Sequence, residues 1–348
     1  MAASLYLETL ANKWLPTRWS LPEAVVDLTG RTVVITGSNT GLGLEAAKKF
    51  YAMNPDRLIL AVRNLSKGNN AKRVLEGDST TTTTGVGGSR PQVDVWEIDM
   101  SSFESVKAFA NRCKSELKRI DVFLANAGVN TAPWALTVDG WETNLQTNVI
   151  ATFLLATLIA PILIDTAKLS PPKTGVDLKP HLVIVVSDMH EVAPLQARNQ
   201  ENIFAALNSE KQYDQESRYP DTKLLAVLLT RQLATLSQLQ QDASRIIICS
   251  LNPGFCRSEV LREFNPIVRA IIYGMFARST EDGGKKLVWA SLTNDIPQGS
   301  YVSSSKVARP SPFVRSKEGE QVQKKLWDEL GDILTSIAPE VAHYWVSP

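Results

Sequence analysis

The chain has 348 residues, with 37 basic and 36 acidic side chains and a formal net charge of +1. So small a net charge supplies no field that would attract DNA, RNA or an anionic membrane, and we expect no nucleic-acid partner. The few cysteines and histidines are widely spaced and contain no CxxC pair, so they indicate neither a disulfide framework nor a metal site and favour a reducing, cytoplasmic compartment. They are Cys113, Cys249, Cys256, His181, His190 and His343.

Residues 1–29 form a prefix to the predicted core. Glu8 interrupts its first apolar stretch before Lys13 appears, so the basic-then-apolar layout of a signal peptide is absent. Its apolar side chains either pack on the domain or make a peripheral membrane contact, and packing is the simpler interpretation. The side chains concerned are Leu5, Leu7, Trp14 and Trp19.

Short β-branched strands alternate with helical patterns over residues 30–258, the predicted dinucleotide-binding core. The predicted strands are Arg31–Thr36, Leu58–Val62, Val93–Ile98, Val122–Ala125, Leu182–Val186 and Ile246–Leu251. The predicted helices are Leu42–Met53, Ser102–Leu117, Trp141–Leu163 and Thr222–Leu236. This alternation predicts an α/β fold with a parallel, doubly wound sheet between two layers of helices.

The longest apolar run, Val149–Ile164, is predicted to be a buried core helix. It contains Thr152, Thr157 and Pro161 and is shorter than a bilayer span, so we expect no integral membrane segment.

Two stretches depart from the alternation. Ser79–Ser89 is polar and of low complexity, and we interpret it as a surface insertion. Beyond Ser258 the strand patterns fade, and residues 259–348 are expected to extend the same domain with helices at Ile267–Ala277 and Glu318–Leu334.

A glycine-rich turn joins the first strand to the first helix. Glycines let the backbone approach a pyrophosphate closely, and the free amides at a helix N-terminus meet its charge. The turn therefore predicts a dinucleotide site, although its spacing is Gly-x3-Gly-x-Gly and a purely structural turn is the alternative. Its residues are Gly37, Ser38, Asn39, Thr40, Gly41, Leu42 and Gly43.

The end of the second strand indicates which dinucleotide is bound. A carboxylate there would hold the ribose 2′-hydroxyl of NAD, but Leu58–Val62 contains none and is followed by Arg63. A guanidinium fits a 2′-phosphate, so NADP(H) is favoured. A solvated surface arginine is the alternative interpretation.

Tyr219 and Lys223 are four residues apart at the start of an apolar run. If that run is helical, the two side chains lie on one face, one turn apart. A free tyrosine titrates near pH ~10, and a neighbouring ammonium lowers that pKa because it stabilises the phenolate. The pair is therefore a candidate acid centre, but the same spacing also arises by chance, so its weight depends on the other motifs of the chain.

Further short motifs follow the predicted strands, and together they carry a family resemblance. They are Asp99, Asn126-Ala127-Gly128, Asn148, Ser187 and Asn252-Pro253-Gly254. With the glycine turn and the Tyr219–Lys223 pair, their order and spacing from Gly30 to Ser258 resemble the classical short-chain dehydrogenase/reductases. The phrases Leu60–Asn64 and Ser187–His190 are similar to the retinol-dehydrogenase-like branch, which includes fungal members of natural-product pathways.

The resemblance implies a Rossmann-like fold and assigns the cofactor contacts. It places Asp99 and Met100 beside the adenine ring. It places Asn126, Ala127 and Gly128 along the cofactor cleft, where they could also close the fourth strand as a turn.

On the nicotinamide side, the resemblance implies that Pro253 and Gly254 shape the loop under the ring. Ser258 stands where a threonine is commoner in relatives, and it keeps a hydroxyl that could meet the carboxamide.

The resemblance also implies the catalytic roles. Tyr219 is the proton donor in reduction, Lys223 lowers its pKa and reaches the nicotinamide ribose, and Ser187 hydrogen-bonds the substrate oxygen. Asn148 is expected to hold a water linked to Lys223, with a helix cap as the alternative. Position 186 is Val186, where many relatives have a first serine, so Ser187 is the catalytic serine.

His190 lies three residues beyond Ser187. Histidine could transfer a proton near neutral pH, but the roles of acid, cation and oxygen ligand are already filled. We interpret His190 as a packing or substrate-rim residue.

Apolar side chains beyond the last motif lie where this family carries its substrate-side lid. They indicate a bulky, apolar ketone or secondary alcohol, with an ordinary helix core as the alternative. The residues are Phe255, Ile267, Ile271, Ile272, Met275 and Phe276.

We therefore expect a single-domain, NADPH-preferring oxidoreductase that transfers a hydride between nicotinamide and a carbonyl or alcohol carbon. A scaffold or sensor that binds NADP without turnover and a dehydratase or epimerase using the same site stay open. Relatives in this family often pair through the helix that corresponds to Val149–Ile164, so a homodimer is one option, and a C-terminal segment that covers this surface is the other.

Overall fold

A computed structural model describes residues 26–77, 90–172, 177–236, 246–256 and 278–345. Several predictions made from the sequence lie outside these residues. They are the packing of the apolar prefix, the Ser79–Ser89 loop, Ser258 and the Ile267–Ala277 helix with its lid side chains.

The strands of the described residues form one sheet. They are β1 (Thr32–Thr36), β2 (Arg57–Val62), β3 (Gln92–Glu97), β4 (Val122–Ala125), β5 (His181–Val185), β6 (Ile247–Asn252), β7 (Ser300–Ser303) and β8 (Lys306–Ala308). The sheet order is β3-β2-β1-β4-β5-β6-β7-β8. All neighbours are parallel except β7 and β8, which form an antiparallel hairpin. This confirms the predicted doubly wound α/β sheet.

Helices cover both faces of the sheet. They are α1 (Gly41–Ala52), α2 (Leu65–Glu76), α3 (Phe103–Glu116), α4 (Thr143–Lys168), α5 (Ile203–Leu207), α6 (Gln215–Leu233), α7 (Thr280–Leu292) and α8 (Lys317–Ile337). Because side chains alternate along a strand, Val34 joins the core under α3, α4, α6 and α8, whereas Val33 and Ile35 join the core under α1, α2 and α7.

The C-terminal part of the chain differs from the expectation drawn from the sequence. The sequence beyond Ser258 predicts helices and no further strands. This is wrong in part, because β7 and β8 extend the sheet there. Both strands are short, β7 begins and ends with serine and β8 begins with lysine, so they lack the long β-branched run that marks a strand in sequence. The predicted C-terminal helix is present as α8, and Leu326 and Trp327 bury it on the same core as the sheet.

Helix α4 is the apolar helix predicted to be buried. Among the described residues it is the helix that is long and apolar enough to cross a bilayer, but 83% of its most apolar window is buried inside the protein. The C-terminal turn Pro339–Tyr344 packs against it. The prediction of a core helix is confirmed.

The direction of the chain reverses at the centre of the sheet. From β1 the strands proceed outward through β2 to β3, and the chain then returns to β4 on the other side of β1. Ligands of doubly wound sheets bind outside the carboxyl ends of the strands at such a switch point. We therefore expect a ligand site at the loops after β1 and β4.

Candidate active site

A cleft of about 1650 Å³ lies along the carboxyl ends of the central strands. Most of the site residues predicted from the sequence line it. They are Gly37, Asn39, Thr40, Gly41, Leu42, Arg63, Asp99, Met100, Asn126, Ala127, Gly128, Ser187, Tyr219, Lys223, Pro253 and Gly254. Ser38, Gly43 and Asn148 are buried and do not line the cleft.

The glycine turn leaves the start of α1 open. Gly37 and Gly41 have φ angles of +67° and +57°, which favour glycine. A Cβ on Gly43 would lie 2.4 Å from the carbonyl oxygen of Gly37, so this close approach of helix to strand requires a glycine. Thr40 precedes α1 without capping it through its side chain, which leaves the first amides available to an anion.

Ser38 is a further unusual residue of this turn. Its residue is fully buried, and within the described residues its Oγ has no hydrogen-bond partner. Buried hydroxyls are normally paired. This hydroxyl lies in the turn that precedes α1 and does not itself line the cleft.

Asn126 fixes the glycine turn from the neighbouring strand. Its Nδ2 donates to the carbonyl oxygens of Thr36 at 2.9 Å and Gly37 at 3.2 Å. In return, Thr36 Oγ1 accepts from the backbone amides of Asn126 and Ala127, both at 3.0 Å. Asn126-Ala127-Gly128 therefore closes β4 as a turn and also lines the cleft, while its contact with a cofactor stays a prediction.

The end of the cleft beside β2 and β3 is polar and carries two cations. Arg63 follows β2, and Lys67 lies in the first turn of α2; both are exposed and line the cleft. Sequence reasoning missed Lys67, because α2 was not predicted; a second cation shortly after Arg63 in the sequence would have been the signal. Asp99 also lines this end, and its Oδ1 accepts from the amide and the hydroxyl of Ser101 at 2.9 and 2.6 Å.

Tyr219 and Lys223 both belong to α6 and lie one helical turn apart. Lys223 Nζ lies 5.4 Å from the centroid of the Tyr219 ring and donates to the carbonyl oxygen of Val185 at 3.1 Å. The lysine is 6% exposed, and burial lowers its pKa to about 8. The predicted juxtaposition of phenol and ammonium is present, with the ammonium largely removed from water.

Asn148 lies behind this pair in a π-helical turn of α4, Gln146–Ile150. Its Nδ2 donates to Val129 O at 2.8 Å and to Thr222 Oγ1 at 3.1 Å, and its Oδ1 accepts from Val129 N at 2.8 Å. Because α4 begins five residues earlier, at Thr143, the helix-cap alternative for Asn148 is wrong. A π turn inside an α-helix frequently marks a functional site.

Gly128 brings the Asn148 side chain close to Lys223. A Cβ on this glycine would lie 3.1 Å from Asn148 Oδ1 and 3.5 Å from Lys223 Nζ. Because position 128 has no side chain, the Asn148 amide and the Lys223 ammonium can both lie close to the loop after β4.

Ser187 follows β5 and caps the short 3-10 helix Asp188–Glu191. Its Oγ accepts from the amide of Met189 and donates to Asp188 Oδ1, both at 3.2 Å. The hydroxyl therefore lies at the carboxyl end of a central strand, in the cleft that Tyr219 also lines.

His190 is a packing residue, as expected. It is 1% exposed, its Nε2 accepts from the amide of Ser311 at 3.1 Å, and its Nδ1 lies 2.8 Å from the carbonyl oxygen of Ser187. Since Nε2 is an acceptor, Nδ1 carries the proton and donates to that oxygen. The ring thus fixes the backbone of Ser187 against the C-terminal segment.

Comparison with known proteins identifies relatives over nearly the whole chain. The short chain dehydrogenase family profile matches residues 31–169. The chain is 38% identical over 330 residues to the short chain dehydrogenase/reductase dmxR8 of Cryptosporiopsis sp., covering 92% of this chain and 96% of the relative. It is also 38% identical over 329 residues to the short-chain dehydrogenase anuD of Penicillium roqueforti, covering 92% and 81%.

Solved structures show the same fold. An uncharacterised protein from Mycobacterium paratuberculosis superposes with a TM-score of 0.63 at 25% identity, covering 90% of this chain and 96% of that one. The RhlG/NADP complex of Pseudomonas aeruginosa gives a TM-score of 0.55 at 18% identity, covering 80% and 96%. At that identity the second likeness concerns the fold alone.

Proposed function

Because the chain belongs to the short-chain dehydrogenase/reductase family, an oxidoreductase family that uses a nicotinamide cofactor, we propose that it is an NADPH-preferring reductase or dehydrogenase of a bulky, apolar small molecule in secondary metabolism. Hydride would pass between the nicotinamide and a carbonyl or secondary alcohol carbon. The observation that carries this proposal is the convergence of Ser187, Tyr219 and Lys223 on one cleft beside an open helix N-terminus.

The proposed mechanism assigns one task to each side chain. A bound nicotinamide supplies or accepts the hydride. Tyr219 donates a proton to the substrate oxygen in reduction and removes it in oxidation, while the Ser187 hydroxyl hydrogen-bonds that oxygen. The buried ammonium of Lys223 favours the phenolate, because it sits 5.4 Å from the ring in a poorly hydrated region. Asn148 fixes the loop at Val129 beside it.

Two cations support the choice of NADP(H). The end of β2 offers no carboxylate to a ribose 2′-hydroxyl, whereas Arg63 and Lys67 line the same end of the cleft. Two cations at one end of the cleft suit a 2′-phosphate better than a neutral hydroxyl does.

The opposite end of the cleft supports an apolar substrate. Its walls include Met189, Val192, Pro194 and Phe255. The loop before α4 adds apolar side chains that are 54% and 85% exposed, at Leu136 and Val138. Such side chains lose contact with water when an apolar ligand binds, which favours binding.

Tyr219→Phe tests the mechanism. The phenyl ring keeps the packing but removes the proton donor, so we expect turnover of ketones to fall by at least about 100-fold while NADPH still binds. The measurement is loss of NADPH absorbance with a panel of ketones, beside fluorescence titration of NADPH. Tyr51→Phe on α1, outside the cleft, is the matched control and should keep wild-type turnover.

Each other result of this assay contradicts part of the proposal. Wild-type turnover in Tyr219→Phe would remove the tyrosine from the mechanism. Binding of NADPH without turnover of any ketone or alcohol would indicate a sensor, and product formation without net change in cofactor would indicate dehydration or epimerisation.

The same assay tests the cofactor choice. Replacing Arg63 and Lys67 by alanine should raise the KM for NADPH by about tenfold and leave the KM for NADH little changed, because only NADPH carries the 2′-phosphate. An equal effect on both cofactors would contradict the proposed phosphate clamp.

A further inference from the structure

Lys286 is a buried lysine outside the predicted catalytic set. It lies on α7, is 1% exposed, and its Nζ donates to the carbonyl oxygen of Pro253 at 2.7 Å. Within the described part of the chain the ammonium makes no other hydrogen bond and no ion pair. Buried ammonium groups are costly unless paired, so a lone carbonyl partner is an unusual environment.

The ammonium lies directly behind the loop that lines the cleft after β6. Gly254 has a φ angle of +79°, and a Cβ on it would lie 3.0 Å from Lys286 Nζ. Both Pro253 and Gly254 line the cleft, whereas Lys286 itself does not. The backbone of this loop therefore separates the charge from the cleft by a single layer of atoms.

Two carboxylates and one guanidinium lie near enough to Lys286 to influence its charge. Burial is the main influence and lowers its pKa; among its weaker neighbours, Arg278 acts in the same direction, while Cys256, Asp282 and Asp188 oppose it. The Cys256 thiol cannot serve as a counter-charge near neutral pH, because burial raises its pKa to about 11. A poorly hydrated cation acts over longer distances than a surface cation does.

We propose that the positive charge of Lys286 makes the cleft bind the reduced nicotinamide dinucleotide more tightly than the oxidised one. The oxidised ring carries a positive charge and the reduced ring is neutral, so a fixed cation behind the loop repels only the oxidised form. This inference rests on the proposed function and on the family resemblance, which implies that Pro253 and Gly254 shape the loop under the nicotinamide ring.

Dissociation constants of the two cofactor forms test the inference without any turnover. Calorimetric titration of the wild-type protein should show tighter binding of NADPH than of NADP⁺. Lys286→Met keeps the buried methylenes and removes the charge, and it should reduce the ratio of the two dissociation constants by roughly fivefold or more. If the protein prefers the non-phosphorylated pair, NADH and NAD⁺ replace these probes.

Two further variants separate charge from packing. Lys286→Gln keeps a hydrogen-bond donor toward Pro253 but is neutral, so its ratio should fall as in Lys286→Met. Lys285→Met removes the same charge one residue away, from a lysine that pairs with Glu281 at 3.1 Å, and its ratio should stay at the wild-type value.

The outcomes distinguish the inference from the proposed function. If Lys286 only holds the Pro253 carbonyl, both cofactor forms lose affinity equally in the variants, and an unchanged ratio overturns the inference. Tighter binding of the oxidised form by the wild-type protein also overturns the inference. This measurement needs no variant, so it can still be made if a substitution prevents folding. Wild-type protein that binds no nicotinamide dinucleotide would instead refute the proposed function.

Discussion

Asp221 is a buried carboxylate two residues beyond Tyr219. It is 4% exposed, and its Oδ1 accepts from the amide of Leu195 at 2.8 Å. Leu195 has a φ angle of +37°, in the left-handed region that non-glycine residues rarely adopt. The hydrogen bond therefore holds a strained turn next to Pro194, which lines the substrate side of the cleft.

The ionisation of Asp221 makes stability depend on pH. Burial, the main cause, raises its pKa to about 7 from an ordinary value of 3.8. Between these values the folded state binds more protons at this site than the unfolded state, so its contribution to stability falls as pH rises from about 4 to about 7. The difference corresponds to about 4 kcal/mol at most.

We predict that Asp221→Asn stabilises the protein relative to wild type increasingly between about pH 4 and about pH 7, because the amide keeps an oxygen for Leu195 and cannot ionise. Urea unfolding at several pH values measures the difference. Asp165→Asn, at a carboxylate that is 75% exposed, should show no such trend. A difference between Asp221→Asn and wild type that is independent of pH would contradict the prediction.

At the residue scale, the sequence predicted those side chains whose roles depend on local spacing. Tyr219 and Lys223 are one helical turn apart, and the glycines precede a helix, so both features could be read along the chain. Lys286 could not, because it meets Pro253 only through the packing of α7 on the far side of a loop. The catalytic roles and the cofactor contacts stay predictions until they are tested.

At the scale of elements, α6 begins earlier than predicted. The helix was expected from Thr222, but it starts at Gln215, where Asp214 caps it by accepting from the amide of Glu216. Pro220 usually indicates a helix boundary, and here it lies inside the first turns. The helix forms despite this proline because the residues from Leu224 to Leu229 are all buried and their packing stabilises it.

The hairpin of β7 and β8 has an unfavourable turn. Ser304 and Ser305 have φ angles of +53° and +54°, a combination that two-residue hairpins usually fill with asparagine and glycine. The Oγ of Ser305 is also buried, with no hydrogen-bond partner in the described ranges. Sequence reasoning missed the hairpin partly because its turn lacks these residues.

We predict that Ser305→Gly raises the free energy of unfolding by about 0.5–1 kcal/mol, because glycine adopts positive φ without strain and removes the unpaired hydroxyl. Urea denaturation measures the change. Ser300→Gly in β7, where the backbone is an ordinary strand, should instead lower stability. A loss of stability in Ser305→Gly would mean that the serine turn is not strained.

At the scale of the whole molecule, the C-terminal helix is part of the main core. Leu326, Leu330 and Leu334 of α8 are fully buried in the same cluster as Val34 of β1. Trp327 stacks on Trp345 with ring centroids 4.7 Å apart, which closes the end of this helix. Because sheet and extension share one core, we expect them to unfold together.

We predict that Leu326→Ala lowers the free energy of unfolding by about 2–5 kcal/mol, as removal of a fully buried leucine usually does. Far-UV circular dichroism should show one transition, shifted as a whole to lower urea concentration. Lys324→Ala, at an exposed site two residues away, is the control and should change stability little. A separate early transition for the variant would show that α8 unfolds independently of the sheet.

The short hairpin also determines how the sheet ends. In the described residues one edge is β8, which is three residues long and begins with exposed Lys306, and the other is β3, whose polar Gln92 and Glu97 are exposed. A long, apolar edge with unpaired amides would let a second molecule add its own strand, and this is a common start of aggregation. With one edge too short and the other charged, neither edge offers a template for amyloid-like growth.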